Sequence, residues 1–167
     1  MPRDWEEHYR NRANADLSPD ALVAEAAEWL PPGGALDLAC GTGRHALYLA
    51  KLGWQVTAVD ASAVALDLLR RNVGGLPVDV RRADLERCEF TIGPESYDLI
   101  CDFLYLQRSL FPAIREGIRP GGLFLGAMRL DGTFRIEPGE LRREFAAWKI
   151  VYYSESGGIA KIAARKA

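Results

Sequence analysis

The sequence lacks most of what would place a chain outside the ordinary globular proteins. No uncharged apolar run in its 167 residues approaches the ~20 needed to cross a bilayer, so no membrane span is expected. The stretch Met1-Pro2-Arg3-Asp4-Trp5-Glu6-Glu7 has no apolar core of a secretory signal, and the cysteine usage makes a reduced, cytoplasmic protein the expectation. Cysteine is scarce: Cys40, Cys88 and Cys101 are odd in number, widely spaced and free of any CxxC or Cys/His cluster. That pattern argues against a disulfide framework and a structural zinc site, and no metal is expected. A basic excess is missing too. Lysine and arginine total 21 against 23 acids, a net charge of −2, and the pairs Arg70-Arg71, Arg81-Arg82 and Arg142-Arg143 sit beside acids. Phosphate neutralisation carries most of a duplex binder's affinity, so nucleic acid is disfavoured. There is no internal period and no low-complexity tract, which leaves no support for repeat or disordered architectures.

What is there suits one compact unit. A chain of this length buries roughly 70% of the surface its unfolded form exposes, so a single domain over 1–167 is expected to fold without staples. Residues 4–12 read as a short helix with Trp5, His8, Tyr9 and Arg12 at i, i+3, i+4 and i+7. Ser18-Pro19 reads as a cap and first helical position, opening a helix that reaches Leu30. The chain then alternates: a strand over 35–39, a glycine loop, a helix over 44–52, a strand over 55–59 ending at Asp60, and a helix capped by Ser62. Further strands are expected over 78–83 and 97–101, ending at Asp84 and Asp102, and over 123–128, with helices near 110–118 and 137–145. The strands 149–153 and 159–164 are separated by too few residues for a parallel crossover and should form an antiparallel hairpin. This order predicts an α/β protein, a doubly wound, Rossmann-like, mainly parallel sheet of seven strands.

The strongest chemical signal is Leu36-Asp37-Leu38-Ala39-Cys40-Gly41-Thr42-Gly43. Gly41 and Gly43 allow a sharp turn and close approach to a ligand, and the following helix offers unpaired N–H groups. Asp60, nineteen residues after Gly41, ends the next strand, where a carboxylate can accept both hydroxyls of an adenosine ribose. Gly41-Thr42-Gly43-Arg44-His45-Ala46 formally satisfies a dinucleotide signature, a weak one alone. Asp37 tells against it, because a buried carboxylate beside a pyrophosphate sets like charges together. A ligand with an ammonium group and no phosphate reverses that argument, and S-adenosylmethionine is such a ligand.

With these residues the sequence resembles the class I S-adenosylmethionine-dependent methyltransferases, in detail the small bacterial tellurite-resistance-like or type 11/12 subgroup. Leu36–Gly43 is similar to the family's first motif and Val56-Thr57-Ala58-Val59-Asp60 to its ribose-binding strand end. Ala83-Asp84-Leu85, Tyr97-Asp98-Leu99-Ile100-Cys101-Asp102 and Arg119-Pro120-Gly121-Gly122 follow in the family's order. The resemblance implies that Ala39, Gly41 and Gly43 line the methionine part and Asp60 clamps the ribose. It implies that Ala61 contacts the adenine face and that Asp84 with Leu85 holds its amino edge. Asp37 would order the glycine loop or meet the amino group. Arg44 and Arg12 are candidates for the methionine carboxylate, and Tyr9 and His8 for cover from an N-terminal segment, 1–30, packed over the cofactor.

Methyl transfer from a sulfonium is an in-line displacement that mainly needs alignment and exclusion of water. A base helps only when the acceptor is a hydroxyl or a protonated amine, so no catalytic residue stands out. Tyr105, Arg108 and Asp102 are the candidates at the fourth strand's end, and Asp102 is also counted among the residues expected to bind the cofactor. The expected activity is methylation of a small-molecule acceptor, with S-adenosylhomocysteine as product. Two rivals stand beside it: a non-catalytic adenosyl-ligand-binding module and a nicotinamide-dependent oxidoreductase. The first is favoured by the short Arg129–Ile136 segment after the fifth strand, which leaves the acceptor pocket open, absent or completed by a second subunit in a homo-oligomer.

Overall fold

The computed structural model describes residues 4–10 and 16–167. Helix α1 (Trp5–Arg10) and helix α2 (Ala21–Ala26) precede a strictly alternating run: β1 (Gly34–Leu38), α3 (Arg44–Lys51), β2 (Gln55–Asp60), α4 (Ala63–Val73) and β3 (Val78–Arg82). Then come β4 (Tyr97–Phe103), α5 (Leu110–Gly117), β5 (Ile118–Arg129), α6 (Glu140–Glu144), β6 (Lys149–Ser156) and β7 (Ile159–Arg165). The seven strands form one sheet in the order β3-β2-β1-β4-β5-β7-β6. Strands β1 to β5 are parallel, and β7 runs antiparallel between β5 and β6. The α/β, seven-stranded expectation holds, including the terminal hairpin. Its turn is made by Gly157 (φ 60°) and Gly158 (φ 74°), the left-handed pair that a two-residue hairpin turn requires.

Alternation along the strands divides the interior in two. From β1, Ala35 faces a cluster built on Leu22, Val23 and Ala26 of α2, Leu47 and Leu49 of α3, and Leu66 and Leu69 of α4. Leu36 and Leu38 face the other cluster, with Phe111 and Ile114 of α5, Leu141 of α6 and the stacked rings of Phe124 and Phe145. A parallel sheet covered on both faces in this way accepts apolar residues at every central position. A polar side chain in such a row is therefore conspicuous.

Three boundaries differ from expectation. The cap of α2 is Asp20, whose Oδ1 accepts the Leu22 N–H at 2.9 Å, and the Ser18 N–H donates to Asp16. Asp20 is fixed there from two other directions, since its own N–H donates to His45 Nε2 at 3.0 Å and its Oδ2 pairs with Lys161 at 2.7 Å. The helix stops at Ala26 rather than Leu30. Arg119-Pro120-Gly121-Gly122, read as a turn before the fifth strand, instead lies within β5 as an irregularity: Tyr97 pairs Ile118 while Leu99 pairs Leu123. Among the described residues no helix is long and apolar enough to cross a membrane.

Candidate functional site

Strands β2, β1 and β4 lie side by side, and the chain's winding reverses between β1 and β4. Open α/β sheets bind ligands at the carboxyl ends of strands flanking such a point. Three carboxylates are placed there. Asp60 is the last residue of β2, and Asp37 and Asp102 each stand one residue before the end of β1 and β4; all are buried.

The segment between β1 and α3 is shaped by three left-handed residues, Ala39 (φ 50°), Gly41 (φ 58°) and Gly43 (φ 85°). Glycine adopts this conformation freely, whereas an L side chain costs roughly 1–2 kcal/mol there. Ala39→Gly is thus expected to stabilise the protein by about 1 kcal/mol, read as a rise of roughly 2–4 °C in thermal midpoint. Asp60 holds the turn in place. Its Oδ2 accepts the Gly41 N–H and its Oδ1 the Ser62 N–H, each at 2.9 Å, joining the glycine turn to the start of α4. Burial raises the Asp60 carboxyl's proton affinity, and these two bonds pull the other way.

Helix α1 lies across both loops. Glu6 accepts the Ala63 N–H at 2.7 Å and the Val64 N–H at 3.1 Å, two of the donors that a helix start leaves unpaired. Tyr9 hangs over the glycine turn so closely that a Cβ on Gly41 would lie 2.7 Å from its hydroxyl. A Cβ on Gly43 would overlap the Leu69 side chain. The close approaches expected of these glycines are made in this structure by Tyr9 and Leu69. Arg12 lies outside the described residues.

The other candidates are placed as follows. Arg44 opens α3 beside the turn, and Ala61 is exposed, its carbonyl accepting from Arg82 Nε at 3.1 Å. Asp84 Oδ1 accepts the Glu86 and Arg87 N–H groups at 2.9 and 3.3 Å, the ordinary work of a turn aspartate. Leu85 is buried, and its carbonyl accepts from Gln107 Nε2 at 3.3 Å; Gln107 Oε1 in turn accepts the Tyr105 hydroxyl at 2.7 Å. Burial, then Glu86, raises the Tyr105 phenol well above its ordinary value, so Tyr105 stays protonated. Arg108 points away to Glu140, which it grips at 2.6 and 2.9 Å, and to the Arg135 carbonyl at 3.2 Å. It pins the short segment after β5 to the segment after β4.

Asp37 and Asp102 are the unusual pair. Asp37 (3% exposed) continues the α3-side row begun by Ala35, and Asp102 (1% exposed) continues the α5-side row of Ile100. Asp37 Oδ2 and Asp102 Oδ1 are buried with no hydrogen-bond partner. A buried acceptor left unpaired costs about 1–3 kcal/mol. Burial, then the nearby Asp60, lifts the Asp37 carboxyl to about 7, although the Ala46 N–H opposes this; burial, then Asp37, lifts Asp102 as well. The other orphaned side-chain atom among the described residues, Trp54 Nε1, precedes β2 at the opposite end of the sheet.

His45, just inside α3, is structural in this arrangement. Its ring packs 4.4 Å from that of Phe103, and its Nε2 accepts the Asp20 N–H. Burial, then Arg44, depresses its pKa to about 3. The unfolded chain binds this proton below about 6.5 and the folded chain does not until about pH 3. His45 therefore favours folding above pH 6.5, and that contribution is lost as pH falls towards 3, by up to about 1.4 kcal/mol per unit. Denaturant midpoints between pH 4 and 6.5 are expected to fall more steeply for the native sequence than for His45→Phe.

Sequence reading missed Glu6, Asp20 and Gln107. Glu6 stands one helical turn before Tyr9 and carried that much signal, whereas the contacts of Asp20 and Gln107 arise only from the tertiary fold.

Comparison with known proteins agrees with this geometry. Residues 35–122 match the family described as methyltransferase domain. The chain is 31% identical over 171 residues to "Hemagglutinin 1" of Eikenella corrodens, covering 90% of this chain and 55% of that protein. It is 29% identical over 159 residues to "Probable S-adenosyl-L-methionine-dependent methyltransferase TehB" of Haemophilus influenzae, covering 81% and 53%. The chain thus spans about half the length of the curated relatives it matches. The crystal structure of TehB from Haemophilus influenzae superposes with a TM-score of 0.81 at 23% identity, over 98% of this chain and 67% of that one. The structure titled "DhpI-SAH complex" superposes with a TM-score of 0.67 at 26% identity, over 97% and 95%.

Proposed function

The chain belongs to the methyltransferase domain family, and from that premise we propose that it uses S-adenosylmethionine to methylate a small-molecule acceptor in the cytoplasm. The observation that carries the reading is the pair of unpartnered buried oxygens, Asp37 Oδ2 and Asp102 Oδ1, at the crevice between β1 and β4. Such acceptors fit a ligand rich in donors and bearing a positive charge, and they do not fit a pyrophosphate. The names of the TehB relative and of the DhpI complex support the same cofactor.

In this reading residues 1–167 act as a single methyltransferase domain with the segment 1–30 over the cofactor. Asp60 holds the Gly41 turn and accepts ribose hydroxyls with its remaining lone pairs. Ala39, Gly41 and Gly43 border the amino-acid part, and Asp37 and Arg44 match its two charges. Ala61, Asp84 and Leu85 border the adenine. When bound, S-adenosylmethionine supplies a methyl group already activated by its sulfonium. The chain's own contribution is alignment and dryness: α1 covers the turn through Glu6 and Tyr9, and the Tyr105–Gln107–Leu85 chain fixes the loop after β4. Burial pushes Tyr105 and Asp102 above their ordinary values, and an acceptor that arrives as a soft anion such as a thiolate needs neither of them as a base.

The test is transfer of a labelled methyl group to a panel of thiols, hydroxyls and amines. Acceptor-dependent formation of S-adenosylhomocysteine, highest for thiols, is the expected result. One observation favours a second reading, cofactor binding without transfer: Arg108 is committed to Glu140 and leaves the 130–136 segment short and fastened. Tight cofactor binding with no turnover on any class would select it.

A further inference from the structure

Among the described residues, the acids at the crevice outnumber the cations that face them. Around Asp37 stand Asp60 at the end of β2, Cys101 and Asp102 on β4, Cys40 in the glycine turn and Arg44 at the start of α3. From α1, Glu6 adds another carboxylate facing Asp60. Arg44 is the single cation in that set. Asp60 has its oxygens satisfied by two backbone N–H groups, but Asp37 keeps one oxygen with no partner, enclosed beneath the turn. An ionised, half-paired carboxylate at such a place needs a compensating positive charge.

Resting on the cofactor reading above, we propose that Asp37 carries a proton in the ligand-free protein and releases it when a ligand's ammonium group becomes its counter-ion. One carboxylic acid and one ammonium give one carboxylate–ammonium pair and one proton in solvent, so charge is conserved within the crevice. Burial and Asp60 together place the Asp37 carboxyl near neutrality, where the exchange is visible. Asp102, on the opposite face of the neighbouring strand, is itself pushed up by burial and then by Asp37, so the two acids disfavour ionising together. The consequence is selectivity: ligands with an amino-acid tail bind with proton release, and the bare nucleoside thioether does not.

The experiment is calorimetric titration of the full chain with S-adenosylhomocysteine in buffers of different ionisation enthalpy, from pH 6 to 8, with 5′-methylthioadenosine as the tail-less control. The expected result is release of close to one proton per S-adenosylhomocysteine at pH 6, declining by pH 8. Below neutrality its affinity should tighten several-fold for each unit by which the pH rises, and neither effect should appear with 5′-methylthioadenosine. Asp37→Asn should abolish the release while leaving 5′-methylthioadenosine binding intact. Binding of S-adenosylhomocysteine with no proton exchange and a flat affinity overturns the proposal and leaves the cofactor reading standing. Failure of both adenosyl ligands to bind overturns both.

Discussion

Replacing Asp60 with alanine is expected to remove adenosyl-ligand binding and to cost several kcal/mol of stability at the same time. The carboxylate is the shared acceptor for the Gly41 and Ser62 N–H groups. Alanine strands both donors in a buried place, at about 1–3 kcal/mol each. The thermal midpoint should drop by roughly 5–15 °C, and affinity for S-adenosylmethionine should fall by more than about a hundredfold, since the ribose acceptor and the turn's anchor are lost together. Asp60→Asn keeps one acceptor oxygen and should fall between the two proteins in both readings. Thermal melts with and without saturating S-adenosylhomocysteine check this directly. An Asp60→Ala protein that melts like the native one would show that the turn is held by something else.

Gly43→Ala is expected to be nearly as damaging, for a reason unconnected with ligand. Gly43 sits at φ 85° as the residue before α3, and its missing Cβ is the space filled by Leu69 of α4. Left-handed strain of about 1–2 kcal/mol adds to overpacking of about 1–3 kcal/mol, so chemical denaturation should show a loss of roughly 2–5 kcal/mol. Only the overpacking part depends on the leucine. In a double-mutant cycle with Leu69→Ala, the pair should cost less than the sum of the single changes by about 1 kcal/mol or more. Strict additivity would mean that the glycine is required by its backbone conformation alone.

The fold was legible because its signals are local. Apolar runs of five or six residues closed by Asp60 or the glycine turn, and helices with a cap such as Ser62, whose Oγ accepts the Ala65 N–H at 3.1 Å, announce themselves within a short window. The hairpin was readable because too few residues separate the last two strands for a parallel crossover. Where expectation failed, a distant partner decided the outcome. Ser18-Pro19 is a sound local start, but His45 and Lys161, far along the chain, fix Asp20 as the cap. Arg119–Gly122 looks like a turn because of its proline and glycines; the Gly121 N–H donates to the Lys166 carbonyl at 2.8 Å and the Lys166 N–H to the Gly122 carbonyl at 3.0 Å, which keeps the segment in the sheet. At the site, sequence reading marked the carboxylates and glycines by residue type. It had no means of showing that Asp60 spends bonds on the turn, that Tyr9 occupies the space above Gly41, or that Arg108 is taken by Glu140. Those are properties of side chains meeting across the sheet edge, and no spacing rule encodes them.

The most direct check of the central claim is a side-by-side titration of the protein with S-adenosylmethionine, S-adenosylhomocysteine, NADH and NADPH. Saturable binding of the two adenosyl ligands, with no heat from either nicotinamide, is the expected outcome. Binding of a nicotinamide dinucleotide alone would contradict it and make Asp37 a structural acid of the glycine turn.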